Sequence, residues 1–311
     1  MMPYLFHACM SRILGPLKSI GLDRLEMTSG DGAVRRCHPL FALFVGDYPE
    51  QVLVTCVTSG DCPTCPAKRA ELGHQPMLEY RDMTASNMAL HHADDTDLSI
   101  FVEQCQHLNI KLIPNPFWCD LPLVHIYRSV CPDILHQLYQ GALKYIFNWV
   151  KTAYSPTEID AQCRQLPPNH NIRLFTKGVT TLSHISGQEH SQICRIMLGL
   201  IVGLNLPNGH SSTHLIQAVR AMLNTLYLSQ YPLHSDATLT LLKEALHCFD
   251  DNKQIFIDLG IHDNFNINKF HYFHWHYVNA IRLFGSCDNY NTEYTERLHI
   301  NLVKDAYRAT N

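Results

Sequence analysis

No apolar run in this sequence approaches eighteen residues, so nothing in it reads as a membrane-spanning helix. Positive charge is not in excess: Lys and Arg total 24 against 28 Asp and Glu, a formal net charge of -4. That balance excludes an overall field that would draw in DNA or an anionic membrane, so any nucleic-acid surface must be local. There is no internal repeat and no low-complexity stretch, which excludes solenoid and collagen-like architectures. The opening Met1-Met-Pro-Tyr-Leu-Phe-His-Ala-Cys-Met10 lacks the charged-then-apolar layout of a secretory leader. Charged residues make up only 17% of 311 residues and hydrophobic ones 46%, which excludes intrinsic disorder. The chain is long enough for a sizeable core, in one large domain or two ordinary ones. Two residue types are plentiful instead: 12 cysteines and 20 histidines. In a chain without a leader, a reduced compartment is expected, and a local cysteine cluster then points to metal rather than to disulfides.

The pattern along the chain predicts a helix over Tyr4–Leu17 with a break at Pro16, and a turn at Asp31-Gly32. Pro39–Val45 reads as a buried strand, Gln51–Thr55 as a second and Val124–Val130 as a third. Helices are expected around 97–108 and over Ile134–Val150, the latter opened by Cys131-Pro132-Asp133. From 151 to about 260 the chain reads as largely helical. Ser155…Glu158 and Ser186…Glu189 have capping-box spacing, and further helices are expected over about 212–230 and 236–258. A sheet domain interrupted by a helical block satisfies this pattern. So does an α/β domain followed by a separate helical one.

Cys56, Cys62 and Cys65 form the one tight cysteine group. Two thiolates separated by two residues can grip one tetrahedral zinc from a single turn, and Pro63 and Pro66 stiffen that turn. A closed site needs a fourth ligand, for which Cys37, His38, His74, His91 and His92 are candidates, with His74 preferred. The competing reading is a set of free cysteines bordering a loop.

Two acidic centres stand out. Asp133 falls in the first turn of the helix that follows a strand. An acid there complements the helix dipole and caps free amides, and equally it can point into the crevice where α/β sheets carry their sites. The second centre is Asn291-Thr-Glu293-Tyr-Thr-Glu296-Arg-Leu-His299. Helical spacing puts Glu293 with Arg297, Lys304 and Arg308 on a solvated face. Glu296 shares an arc with Leu298, Leu302, Val303 and Tyr307, where an ionised carboxylate needs a cationic or protic partner. Upstream, His271, His274 and His276 stand at i, i+3 and i+5. That spacing does not put all three on one helical face without a bend.

The segments His38-Pro-Leu-Phe-Ala-Leu-Phe-Val-Gly-Asp-Tyr-Pro-Glu-Gln51, Cys62-Pro-Thr-Cys65, Cys131-Pro-Asp-Ile-Leu-His-Gln-Leu-Tyr-Gln-Gly141 and Glu158-Ile-Asp-Ala161 carry a resemblance. Ile281-Arg-Leu-Phe-Gly285, Asp288-Asn-Tyr-Asn-Thr-Glu293 and Glu296-Arg-Leu-His-Ile300 through Asn311 extend it. Together these segments resemble the Plavaka-type transposases of mushroom-forming fungi, in the Kyakuja–Dileera–Zisupton group of DNA transposons. The resemblance implies an α+β fold: a partial RNase H-like core, a zinc-binding cysteine insertion and a large all-helical insertion. On this reading 1–130 is the sheet region with the cysteine insertion at about 56–92, and 131–150 is the core helix after the second catalytic Asp. Residues 151–265 are then the helical insertion, and 266–311 return to the core.

The resemblance further implies a DDE/D site that uses Mg²⁺ or Mn²⁺ for DNA strand cleavage and strand transfer. Asp133 matches its second acidic residue, and Glu293 or Glu296 the last, with Glu296 favoured by the face argument. A structural Zn²⁺ on the cysteines, DNA transposon ends as partner, a homo-oligomer, no membrane, and location in the nucleus complete the expectation. The family's first catalytic Asp lies in a strand upstream of a Phe-His motif that matches Phe6-His7. The expectation is therefore a fragment with little strand-transfer activity of its own. The alternative is a non-catalytic DNA-binding or protein-interaction remnant.

Overall fold

In the computed structural model the described residues are 2–73, 78–94, 98–131, 133–183 and 185–309. The chain divides into two compact units, Met1–Pro132 and Asp133–Asn311. It is a mixed α/β protein whose sheets are small and open and whose second unit is almost wholly helical.

The first unit begins with helices α1 (Met2–Leu14) and α2 (Leu17–Asp23), broken near Pro16 as the sequence predicts. Strands β1 (Leu25–Thr28) and β2 (Val34–Cys37) form an antiparallel hairpin around the Asp31-Gly32 turn. The buried strand expected over Pro39–Val45 shrinks to β3 (Phe44–Val45), which pairs in parallel with β4 (Val130–Cys131). The strand expected at Gln51–Thr55 is instead part of helix α3 (Tyr48–Val54). Asp47 caps it: its side chain accepts from the Glu50 amide while the Glu50 carboxylate accepts from the Asp47 amide, and Pro49 sits in the first turn. This reciprocal cap overrides the β-propensity of Val52 and Val54.

Helices α4 (Met83–His91) and α5 (Leu98–Leu108) complete the unit. Its core gathers Phe117, Trp118, Ile126 and Tyr127 with Val54 and Leu90, all buried. The Trp118 indole donates to the Val54 carbonyl at 2.7 Å, so this large ring is buried with its one donor satisfied.

The second unit opens just after β4. Leu135–Leu143 is wound as a π-helix, with non-helical backbone at Gly141, and it runs into α6 (Lys144–Tyr154). A Cβ at Gly141 would lie 2.7 Å from the His136 carbonyl oxygen, so only glycine fits this wide, underwound turn. Helix α7 (Pro156–Gln165) is capped by Ser155, and α8 (Gly187–Ile201) by the full Ser186/Glu189 box. Helices α9 (Ser212–Ser229) and α10 (Asp236–Asn252) pack against each other, and the short α11 (Ile255–Asp258) follows. An aromatic core centres on Trp149, whose ring stacks on Phe270 at 5.5 Å and meets Phe256 at 4.9 Å.

Helices α12 (Asn268–Trp275) and α13 (Tyr277–Phe284) join at His276, and α14 (Glu293–His299) and α15 (Asp305–Ala309) flank a π turn over Ile300–Lys304. That π turn breaks the even angular spacing used to place Glu296 on a packed face. Leu302, Val303 and Tyr307 are exposed, and so is Glu296. The packed-face expectation for Glu296 therefore fails. No helix among the described residues is long and apolar enough to cross a membrane.

Candidate metal-binding centres

Asp133 is fully buried, at 0% exposure. Its Oδ1 accepts from the His136 amide at 2.8 Å and faces His136 Nδ1 at 3.0 Å; its Oδ2 accepts from the Thr292 hydroxyl. The helix-capping reading of Asp133 is thus realised, and the capping oxygen is also the one that meets an imidazole. Burial pushes the carboxyl up, but the hydrogen bonds from His136 and Thr292 outweigh it and hold the group below its ordinary value. The buried residue is therefore an anion at neutral pH.

His136 also reaches the second acidic centre. Its Nε2 lies 3.5 Å from Glu296 Oε1. One imidazole thus stands between Asp133 and Glu296, residues 163 apart in the chain. Glu293 turns elsewhere, toward Gly187: a Cβ on that glycine would lie 3.0 Å from Glu293 Oε1. The geometry groups Asp133 with Glu296 and leaves Glu293 outside. His136 was not singled out from the sequence, although it stands three residues after Asp133, at helical contact spacing. A carboxylate is the kind of hard oxygen donor that Mg²⁺ or Mn²⁺ takes.

The cysteine hook is built within the first unit. The amides of Thr64 and Cys65 point at Cys62 Sγ, at 3.4 and 3.5 Å. The Cys62 amide donates to the Ala67 carbonyl at 3.0 Å, and the buried Arg81 donates through Nε to the Cys62 carbonyl at 3.0 Å. The Cys62 hydrogen bond pulls the Cys65 thiol below its ordinary value, against the opposing effect of burial, and the Arg81 charge adds to the pull.

Cys62 and Cys65 are buried in the first unit, and His271 and His276 are buried in the second. Two thiols from one turn are half the donor set of a closed zinc site. Cys56 is not part of this hook. Its thiol lies 3.4 Å from His7 Nε2, and burial drives it well above its ordinary value, which suits a packed neutral side chain rather than a ligand. His74 lies outside the described residues. His38 instead uses Nδ1 on the Gly21 carbonyl at 2.8 Å. The bend that the histidine spacing required is the α12–α13 junction, where His276 leaves the helix with φ -115°. It brings the rings of His271 and His276 to 5.4 Å and sends His274 to another partner.

The Plavaka transposase family model matches residues 2–150. No curated protein matches the chain. The Plavaka likeness covers just under half of the chain and takes in Cys62, Cys65, Asp133 and His136. Glu296, His271 and His276 lie beyond it, and the link of Glu296 to Asp133 and His136 is geometric.

Proposed function

We propose that this protein derives from a metal-dependent DNA transposase, with Asp133 and Glu296 as the second and last acidic positions of a DDE/D site. The convergence of both carboxylates on opposite nitrogens of His136 carries this reading, and the Plavaka match over residues 2–150 supports it. The β3–β4 parallel pair, with Asp133 two residues past its end, is then what remains recognisable of an RNase H-like core. Asp133 and Glu296 would hold Mg²⁺ or Mn²⁺, and such an ion supplies Lewis-acid stabilisation of charge developing at phosphorus. Thr292 and His136 orient the Asp133 carboxylate, the role that outer hydrogen bonds play around ligating groups. Cys62 and Cys65 would supply two ligands to a structural Zn²⁺. Transposon-end DNA is the partner, and the nucleus the place, that this function requires.

The test is Mn²⁺ binding followed by electron paramagnetic resonance of the free ion. Wild type and Glu293→Gln are expected to bind Mn²⁺ alike, while Asp133→Asn and Glu296→Gln lose it. Equal Mn²⁺ binding by Asp133→Asn and wild type would remove the basis of the reading.

A further inference from the structure

One group of side chains remains outside both centres. His247 and Asp250 stand three residues apart on α10, a spacing that puts them on one face. His274, on α12, crosses to the same place, and its Nδ1 lies 3.1 Å from Asp250 Oδ2. The rings of His247 and His274 meet edge-on at 5.8 Å. A ligand atom from each of the three residues lies within 4.8 Å of the other two. Ligands around one transition-metal ion sit roughly 3 Å apart, given bond lengths of about 2.0–2.2 Å. A short rotation of exposed His247 therefore closes the triangle.

Lys253 fixes the carboxylate. Its Nζ lies 2.6 Å from Asp250 Oδ1, which leaves Oδ2 facing the imidazoles. The same ammonium is held over the Phe265 ring, 4.9 Å from its centre. This resembles the outer contacts that aim ligating carboxylates, but with a cation as the orienting group, so its charge works against a bound metal.

We propose that His247, Asp250 and His274 form a solvent-reachable metal site, distinct from the cysteine hook, for a borderline divalent transition metal such as Zn²⁺, Co²⁺ or Ni²⁺. Two imidazoles and one carboxylate favour these ions over Mg²⁺ or Ca²⁺, and water completes the coordination sphere. The site ties α10 to α12, so metal binding raises the stability of the helical unit by mass action.

The experiment is a Co²⁺ titration of the full chain already loaded with one equivalent of Zn²⁺, read by visible absorption and by thermal melting. Co²⁺ is expected to bind with ligand-field bands but without thiolate-to-metal charge transfer, and to raise the melting temperature. His247→Ala, an exposed position whose loss leaves the core intact, is expected to abolish this binding. Lys253→Met is expected to tighten it several-fold, because it removes the opposing charge and leaves all three ligands. Absence of Co²⁺ absorption in both wild type and Lys253→Met would overturn the proposal. So would absorption that persists unchanged in His247→Ala, or a spectrum carrying thiolate charge transfer.

Discussion

Environment, not residue type, separates the cysteines. Cys65 is drawn toward the thiolate by the Cys62 hydrogen bond and the nearby Arg81, against burial, whereas Cys56 is held protonated by burial. Both belong to the one cluster visible in the sequence, and spacing alone treats them alike. What distinguishes them is the pair of amides aimed at Cys62 and the Arg81 guanidinium behind the hook, and Arg81 stands too far along the chain to enter a spacing rule. Because metal binding requires deprotonated thiols, elemental analysis of the purified protein should find zinc. Cys62→Ser or Cys65→Ser should lose it, and Cys56→Ser should keep it. Zinc retained in Cys62→Ser and lost in Cys56→Ser would reverse this assignment. Histidine follows the same logic: of three in a run of six residues, His271 and His276 are buried with their rings together, and His274 faces Asp250.

Element boundaries follow local capping signals. The Ser186/Glu189 box starts α8 where its spacing predicts. The same Asp-x-x-Glu logic at Asp47 and Glu50 starts α3, in place of the strand expected over Gln51–Thr55. The π winding of Leu135–Leu143 has no simple sequence signature beyond Gly141, yet it follows directly on Asp133 and contains His136. Asp160 in α7 shows how one carboxylate fastens an element. Its Oδ1 accepts from the Val179 and Thr180 amides at 2.8 and 3.0 Å, and its Oδ2 accepts from the Thr180 hydroxyl at 2.6 Å. Burial raises this carboxyl, but the Thr180 and Val179 bonds more than compensate and leave its folded pKa below the ordinary value. A folded pKa below the unfolded one, about 3.9, contributes stability that is fully present above that value. The contribution is lost as pH falls through the folded pKa. Asp160→Asn should therefore lower stability at neutral pH by about 1–3 kcal/mol. In urea denaturation the gap from wild type should shrink as the solution is acidified through the carboxylate range. A gap of constant size at every pH would show that shape, not charge, holds the turn.

For the whole molecule, charge sets what kind of DNA contact is available. With 24 basic residues against 28 acidic ones, little positive charge is left over, and much of it is already paired. Arg282 lies 2.6 Å from Asp236, Lys18 2.7 Å from Asp120, and Arg35 2.7 Å from Asp31. Arg308, soon after the last acidic centre in the chain, meets Asp305 at 3.5 Å. Every phosphate contacted by such a residue must compete with the carboxylate already beside it. In fluorescence anisotropy with duplex DNA, the logarithm of the binding constant should therefore fall only shallowly with the logarithm of salt. A slope between 0 and about -3 corresponds to roughly three neutralised phosphates or fewer. Asp133→Asn should leave that slope unchanged, because the buried Asp133 carboxylate serves a metal and touches no phosphate in this reading. A slope near -6 or steeper would require about seven neutralised phosphates. Binding of that kind would mean a basic face gathered from residues whose ion pairs open on contact with DNA, and the non-catalytic DNA-binding reading would then gain over one centred on the acidic pair.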